Sequence, residues 1–281
     1  MSFGKERKLK IMPMEKQTDM RNIVVKCGGS LIENERTGSG ILDDIARITG
    51  AGTRPVLVHG GSVQADRDME AAGIEPRRYK GLRITCEKTI AILDRCFGRL
   101  NGEIVEKLKS RGVAAVGFSG TKGSLIRAEV ITPDGVDIGL VGDMTGIDRD
   151  AWAGAPPEAV PVVASLGVDS QGRTLNINAD YVATRLALEI KAEKLILMTD
   201  VDGVLLDVEN PGSRIPELNI EKARSLIEDG TIAKGMIPKI ESAIRAIEDG
   251  IPEIIMINGR TPGALFTALD GTQATGTRIK N

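Results

Sequence analysis

The sequence is poor in aromatic residues and carries no excess of basic charge. It has four phenylalanines, two tyrosines and one tryptophan among 281 residues. Proteins that hold single-stranded nucleic acid stack its bases on aromatic side chains, and phosphate backbones require surplus Lys and Arg. Here 37 Lys and Arg stand against 39 Asp and Glu, a formal net charge of −2. The composition therefore argues against nucleic acid as a partner, while 41% hydrophobic residues is enough for a folded core.

Cysteines are few, and long apolar runs are missing. Cys27, Cys86 and Cys96 are odd in number and form no C-x-x-C pair, which argues against a disulfide framework or a zinc site. No apolar run approaches the roughly 18 residues of a membrane-spanning helix. Residues 1–20 mix basic and acidic side chains without the apolar centre of a secretory signal. We expect a cytoplasmic protein with reduced thiols, no membrane partner and a flexible basic leader over residues 1–20, with a short oligomerisation arm as the alternative.

Short β-branched runs alternate with helical patterns along the chain. The runs that predict strands lie at 23–25, 56–58, 113–118, 161–164, 195–198 and 254–257. Apolar steps of three and four predict a long helix over 87–110, with Thr85 as its cap, and shorter helices over 181–190 and 238–249. Residues 127–157 favour a β-hairpin followed by a loop. Continuous apolar strands that alternate with helices predict an α/β fold around a largely parallel central sheet.

Three of the predicted strands end in glycines. These are Gly28-Gly29, Gly60-Gly61 and the stretch from Gly117 to Gly120. In an open parallel sheet, ligands bind beyond the carboxyl ends of the strands. Glycine lets backbone N–H groups approach an anion closely, and a following helix N-terminus favours negative charge. The pattern predicts one sheet edge built for an anionic ligand, although any single pair taken alone is equally consistent with a tight turn.

Several common catalytic motifs are missing. Neither G-x-x-x-x-G-K-[ST] nor a strand followed by G-x-G-x-x-G occurs, so both common nucleotide-binding loops are excluded. The single histidine, His59, would have to serve any Ser-His-Asp site, and no G-x-S-x-G elbow accompanies it. We therefore favour a packing or hydrogen-bonding role for His59 at the end of its strand over a role as general base.

Two lysines and one aspartate have suggestive positions. Lys26 precedes Gly28-Gly29, and Lys239 follows Pro238 in the first turn of a predicted helix. Both are placed to neutralise phosphate charge. Asp180 directly precedes a predicted helix, where an acid is most often a cap. The alternative is that Asp180 holds the two lysines in place.

Seven short motifs follow one another along the chain in the order found in the amino-acid kinase family. They are VKCGGS at 25–30, VHGG at 58–61, GLRIT at 81–85, NINAD at 176–180, LMTDVDGV at 197–204, GMIPK at 235–239 and GTRI at 276–279. Each motif is short, but together they cover about residues 22–279. The chain therefore resembles this family, and within it the branch that acts on N-acylated glutamate.

The resemblance implies a fold and a reaction. The fold would be a three-layer αβα sandwich, with an amino-acid-substrate lobe over 21–190 and an ATP-binding lobe over 191–281. The reaction would be ATP-dependent phosphorylation of the γ-carboxylate of N-acetyl-L-glutamate, a step of arginine biosynthesis. A homodimer or hexamer would be typical, with the helix over 87–110 as the expected dimer contact.

The resemblance also assigns roles to residues. Lys26 and Lys239 would stabilise the phosphoryl group during transfer, and Asp180 would orient both lysines. On the acceptor side, Arg83 would bind the α-carboxylate and Asn176 the acylated amide, beside Gly28, Gly29, Gly61 and Ser62. The residues that would bracket the nucleotide are Thr199, Asp200, Val201, Asp202, Gly203, Val204, Gly235 and Met236. No acidic cluster suggests a protein-held metal, so Mg²⁺ would be carried mainly by the phosphates of ATP.

Two alternatives follow from departures and from fold. Ser62 and Val63 stand where the N-acetylglutamate branch usually has glycine and proline. A serine there is more similar to the related kinases that act on aminoadipate or glutamate attached to a carrier protein. A non-catalytic small-molecule sensor of the same fold is the third reading, and the presence of Lys26, Asp180 and Lys239 disfavours it.

Overall fold

The computed structural model describes residues 21–120, 123–207, 209–232, 236–271 and 275–281. The predicted leader over 1–20 and the nucleotide candidate Gly235 lie outside the described residues. The strands are β1 (Arg21–Cys27), β2 (Thr53–His59), β3 (Arg78–Tyr79), β4 (Leu82–Arg83), β5 (Ala115–Phe118), β6 (Ile126–Val130), β7 (Gly142–Ile147), β8 (Val160–Ala164), β9 (Leu166–Val168), β10 (Thr174–Asn176), β11 (Lys194–Thr199), β12 (Glu217–Asn219), β13 (Ile254–Asn258) and β14 (Thr277–Lys280). The helices are α1 (Gly29–Glu33), α2 (Glu35–Gly50), α3 (Ser62–Ala71), α4 (Glu87–Lys109), α5 (Arg149–Gly154), α6 (Ala179–Glu189), α7 (Ile220–Glu228), α8 (Ile237–Glu248) and α9 (Ala264–Asp270).

The six strands predicted from apolar runs all lie in one sheet. Among the described residues this sheet has eight strands, in the order β12-β14-β13-β11-β1-β2-β8-β5. Its neighbouring strands run parallel, except that β13 and β14 are antiparallel. The predicted largely parallel sheet is therefore confirmed. In its centre Cys27 of β1 lies opposite His59 of β2, so the carboxyl ends of these strands, and the glycines that follow them, are level.

Alternate residues of the central strands pack into two different cores. In β1, Val24 belongs to one hydrophobic cluster, whereas Ile23 and Val25 belong to the other, as the two-residue period of a strand requires. Helices α3, α6, α7 and α8 contribute to the first cluster, and α1, α2 and α9 to the second. The sheet is thus covered by helices on both faces, which confirms the αβα sandwich.

The long helix α4 has 23 residues and buries the predicted apolar stripe. The prediction that Thr85 caps it is wrong, because Cys86 occupies the cap position and makes no side-chain cap bond. Thr85 is committed elsewhere: its N–H donates to the Ile138 carbonyl at 2.9 Å, and its hydroxyl donates to the Arg83 carbonyl at 2.7 Å. Despite the length of α4, no helix in the described ranges combines the length and apolar character needed to cross a membrane.

A separate four-stranded sheet, in the order β10-β9-β6-β7, and a short two-stranded ribbon complete the described fold. Strands β6 and β7 form the predicted antiparallel hairpin. The loop predicted after it is wrong at α5, a short helix whose cap, Asp148, accepts the Ala151 N–H at 2.9 Å. Strands β3 and β4 form a separate antiparallel ribbon that carries Arg83. This ribbon and the end of β10 border the sheet edge at which β1 and β2 terminate.

Candidate active site

Two glycine turns lie against each other at the carboxyl ends of β1 and β2. Gly29 opens α1, and Gly61 precedes α3. A Cβ on Gly29 would lie 3.0 Å from the Gly61 Cα, and one on Gly61 would lie 2.5 Å from the Phe97 ring. Only glycine fits at either position without displacing backbone or a buried ring. The packing brings two helix N-termini to the same edge, and backbone N–H groups there favour negative charge.

A cavity of about 280 Å³ opens beside these glycine turns. All the predicted acceptor-side residues line it, together with two of the three predicted catalytic residues. They are Lys26, Gly28, Gly29, Gly61, Ser62, Arg83, Asn176 and Asp180. Residues from four separate stretches of sequence therefore meet around one space.

Lys26 and Asp180 form an ion pair within this cavity. The Lys26 Nζ lies 2.9 Å from the Asp180 Oδ1, with the lysine side chain 15% exposed and the aspartate 57% exposed. Asp180 is not the helix cap; the cap of α6 is Asn178, whose side chain accepts the N–H groups of Asp180 and Tyr181 at 2.8 and 3.3 Å. Because Asn178 takes the capping bonds, the Asp180 carboxylate is left to hold the ammonium group of Lys26.

Arg83 enters the cavity from β4 with its guanidinium group buried. It donates to the Asp66 carboxylate, to the Ser62 carbonyl at 3.2 Å and to the Met69 sulfur at 3.2 Å. These contacts from α3 fix the plane of the guanidinium, which suits two-pronged binding of a carboxylate. Asn176, at the end of β10, donates from its Nδ2 to the Thr85 hydroxyl at 3.2 Å, so its amide is also held in place.

His59 is fully buried behind the Gly60-Gly61 turn. Its Nδ1 lies 3.1 Å from the Gly60 carbonyl, and its Nε2 lies 3.0 Å from the Asn101 Nδ2. A carbonyl only accepts and an amide nitrogen only donates, so Nδ1 carries the proton and Nε2 accepts. Burial lowers the pKa of His59 to about 4. The imidazole is therefore neutral at neutral pH with both nitrogens engaged, which confirms the packing role and leaves no free nitrogen for a general base.

This burial predicts a loss of stability in mild acid. The folded chain disfavours imidazolium, so the unfolded chain, whose histidine titrates near 6.5, binds the proton first as the pH falls. From pH 7.5 to pH 5 the free energy of unfolding should fall by about 2 kcal/mol more in the native chain than in a His59→Gln variant. Urea unfolding at both pH values measures the difference. Because His59 is the sole histidine, NMR of its ring protons provides a second check, and titration near pH 6.5 in the folded protein would contradict the prediction.

The nucleotide candidates lie on a different part of the same edge, after β11. The Thr199 hydroxyl donates to the Val201 carbonyl at 2.9 Å, and Asn258 donates to Asp202 at 2.9 Å. The N–H of Val204 donates to the Thr277 hydroxyl at 2.8 Å, and Gly203 has a φ of +127° against that threonine. The segment is thus shaped by the ends of β13 and β14. In the part of the chain that the structure describes, these residues do not line the cavity at Lys26.

The second predicted lysine, Lys239, does not line the cavity that contains Lys26. Lys239 is exposed in the first turn of α8, which begins at Ile237, and Met236 immediately precedes that helix. Met236 is likewise absent from the described residues that line this cavity. The convergence of Lys26 and Lys239 on one phosphoryl group therefore stays a prediction.

Three polar side chains near the cavity were not predicted from the sequence. Gln64 donates from its Nε2 to the Gly29 carbonyl at 3.0 Å and so ties α3 to the first glycine turn. Asp66 binds Arg83, and Arg78 lines the cavity. Gln64 and Asp66 are two residues apart on α3, a spacing at which side chains do not share a helix face, so the local pattern does not single them out. Arg78 gives no local signal either.

The described residues hold no group of three His, Cys, Asp or Glu side chains placed to bind a metal ion. Asp180, the acidic residue among the described residues that line the cavity, is paired with Lys26. A metal resident in the protein does not fit this donor set.

The sheet, the glycine turns and the paired lysine define the class of protein. The chain belongs to the amino acid kinase family, whose sequence model matches residues 21–258. The predicted resemblance is therefore confirmed.

Two sequence relatives and one solved structure are similar to this chain over most of its length. The acetylglutamate kinase of Synechococcus elongatus is 37% identical over 270 residues, which cover 95% of this chain and 89% of that protein. The acetylglutamate kinase of Methanococcus maripaludis is 36% identical over 269 residues, 92% of each chain. Among solved structures, the N-acetylglutamate synthase of Neisseria gonorrhoeae in complex with coenzyme A and N-acetyl-glutamate superposes with a TM-score of 0.81 at 26% identity. That match covers 93% of this chain and 59% of the synthase.

Proposed function

We propose that this chain transfers the γ-phosphoryl group of ATP to the γ-carboxylate of N-acetyl-L-glutamate, giving N-acetylglutamyl 5-phosphate and ADP in arginine biosynthesis. The observation that carries the proposal is the cavity in which the Lys26–Asp180 pair, two glycine turns and a buried arginine meet. The relatives named acetylglutamate kinase, which match over most of both chains, support this choice of substrate.

The chemistry requires charge neutralisation rather than proton transfer. A carboxylate with a pKa of about 4 is already ionised at neutral pH, so no general base is needed. One carboxylate oxygen attacks the γ-phosphorus, a new O–P bond forms, and the bond to the β-phosphate oxygen breaks with its electrons retained by ADP. The two reactants are anions that repel one another, so the protein must align them and offset their charge. A site without a free histidine nitrogen is consistent with this reaction.

Lys26 is the cation we assign to the phosphoryl group in flight. Its ammonium group is mostly buried and is held by Asp180, which limits the positions that the nitrogen can occupy. A preorganised donor of this kind stabilises the transition state without reorganising during the reaction. Lys239 at the N-terminal turn of α8 would supply the second ammonium group, and the N–H groups at Gly29 and Gly61 would face the transferred oxygens.

The remaining lining residues would hold the acceptor. Arg83 would bind the α-carboxylate, with Asn176 at the acylated amide and Gly28 and Ser62 against the chain between them. The segment of 199–204, with Gly235 and Met236, would bracket the nucleotide, whose phosphates would carry Mg²⁺. This arrangement divides the chain into an acceptor lobe over 21–190 and a nucleotide lobe over 191–281. Assembly into homodimers or hexamers through α4 belongs to the same proposal.

A carrier-linked acceptor is the second candidate function. Ser62 and Val63 both line the cavity and both are exposed, so the cavity meets solvent at these side chains. An acceptor attached to a carrier protein would have to enter through such an opening. Aminoadipate or glutamate on a carrier is therefore the alternative substrate, and the non-catalytic sensor is the remaining reading.

A hydroxamate assay with Mg-ATP separates these candidates, because hydroxylamine traps an acyl phosphate as it forms. Free N-acetyl-L-glutamate, glutamate, aminoadipate and a carrier-linked glutamate should be compared at equal concentration. We expect N-acetyl-L-glutamate to be the preferred acceptor. Preference for the carrier-linked substrate would overturn the proposal in favour of the second candidate, and no product with any acceptor would favour the sensor.

A further inference from the structure

Two arginines of the β3–β4 ribbon share one carboxylate beside the cavity. Arg78 and Arg83 are direct cross-strand neighbours in the antiparallel ribbon. Like charges in that relation destabilise a strand pair. Asp66 of α3 resolves the conflict, since its Oδ2 accepts from the Arg78 Nη2 at 2.6 Å and its Oδ1 accepts from the Arg83 Nη1. Arg78 and Arg83 both line the cavity, whereas Asp66 is not among its described lining residues.

The charges around the cavity do not cancel at this ribbon. Lys26 and Asp180 pair with one another and leave no net charge between them. Arg78 and Arg83 together carry two positive charges, and Asp66 offsets only one. Among these five charged residues, the one positive charge that is not offset therefore lies at the β3–β4 ribbon. An anionic group of the substrate is the complement that this surplus requires.

The two arginines differ in how many donors they have left. The Arg83 side chain is 5% exposed and already donates to Asp66, Ser62 and Met69. The Arg78 side chain is 41% exposed, and its recorded bond is the one to Asp66. A guanidinium group has five N–H donors. Arg78 thus keeps more of its donors available to a ligand than Arg83 does.

We propose that Arg78 is a second carboxylate-binding residue for the acceptor, acting beside Arg83, and that Asp66 is the positioning residue that holds both guanidinium groups. This inference rests on the proposed function and names which end of the acceptor the ribbon selects, the α-carboxylate. Burial works to raise the pKa of Asp66, but the hydrogen bonds from Arg83 and Arg78 lower it below its usual value. Asp66 therefore stays ionised and holds the arginines across the neutral pH range.

The test compares two acceptors that differ only at the α position. N-acetyl-L-glutamate carries an α-carboxylate, and its α-amide analogue keeps the reacting γ-carboxylate without that charge. In Arg78→Gln, the KM for N-acetyl-L-glutamate should rise about 10- to 100-fold with kcat changed little, as expected for the loss of a charge-assisted bond. The KM for the α-amide should hardly change. Arg77→Gln is the matched control, because Arg77 is the exposed residue that precedes β3.

Asp66→Asn tests the positioning role through the same pair of acceptors. It should raise the KM for N-acetyl-L-glutamate selectively, and the double variant with Arg78→Gln should show less than the product of the two single effects, since the residues are in contact. Equal loss with both acceptors would indicate a merely structural role and overturn the inference, as would an unchanged KM in Arg78→Gln.

Calorimetric titration with N-acetyl-L-glutamate separates failure of this inference from failure of the proposed function. If the native chain turns over N-acetyl-L-glutamate but Arg78→Gln binds it equally well, only the role of Arg78 is wrong. If the native chain gives no turnover yet binds N-acetyl-L-glutamate, weaker binding by Arg78→Gln still supports the ribbon as its carboxylate site. If the native chain does not bind this ligand at all, both proposals fail.

Discussion

A Lys26→Ala variant should lose about 10²- to 10³-fold in kcat, the effect expected when one preorganised donor to a transition state is removed. The KM values for ATP and for the acceptor should change much less, because the ammonium group is assigned to charge that develops during transfer. The ion pair with Asp180 at 2.9 Å is what fixes the nitrogen in place. Steady-state kinetics with each substrate varied in turn measures the split between kcat and KM.

Two further variants make that result specific. Lys239→Ala carries the same expectation, since it is assigned the second ammonium group. Lys222→Ala, on the exposed side of α7, is the matched control for the loss of a lysine and should behave as the native chain. A Lys26→Ala enzyme that raised KM while keeping kcat would show that the ammonium group serves ground-state binding, and the transition-state assignment would be wrong.

The sheet was predictable from sequence because burial on both faces leaves a strong local signal. A strand in the middle of an αβα sandwich packs apolar side chains above and below, so Ile23, Val24 and Val25 are all apolar. The glycines after β1 and β2 were equally informative in the sequence, because a Cβ at Gly29 or Gly61 would meet backbone or a buried ring. The sequence therefore predicts both a sheet covered on its two faces and the edge of that sheet at which ligands are expected.

The caps were less predictable, because several polar residues near a helix start compete for one role. Asn178 and Asp180 are two residues apart, and either type can cap a helix. The structure gives the cap to Asn178, which directly precedes α6, whereas Asp180 lies inside the first turn and its carboxylate is bound to Lys26 from β1. Thr85 does not cap α4, since its hydroxyl donates to the nearby Arg83 carbonyl. Its N–H donates to Ile138 and its hydroxyl accepts from Asn176, and the local sequence does not reveal either of these distant contacts.

The charge arrangement around Arg83 could not be predicted from local pattern. Asp66, Arg78 and Arg83 lie on a helix and on two strands of a separate ribbon, and only the packing of α3 against that ribbon joins them. A motif search finds Arg83 because the residues from Gly81 to Thr85 are family-like. It does not find the carboxylate that holds Arg83 or the second arginine on that carboxylate, since neither is part of a contiguous motif.

Replacing Arg83 should have the largest effect on acceptor binding. Arg83→Ala is expected to raise the KM for N-acetyl-L-glutamate on the order of 10²-fold, because more than one charge-assisted bond to the α-carboxylate is lost. The affinity for ATP should stay near that of the native chain, since the nucleotide candidates lie after β11 and outside the lining that contains Arg83. Acceptor KM and calorimetric binding of ATP, measured on the same preparation, give both quantities.

Burial of Arg83 makes a second variant necessary for this test. Its side chain packs against Met69 and Asp66, so truncation to alanine also removes contacts within α3 and the ribbon. Arg83→Lys keeps the charge and most of the side-chain length but cannot bind a carboxylate through two parallel N–H groups. If the assignment is right, Arg83→Lys melts close to the native temperature and still shows a large rise in acceptor KM. A lysine variant with native acceptor KM, or an alanine variant that loses ATP and acceptor affinity together, would mean that Arg83 supports the fold and that another group binds the α-carboxylate.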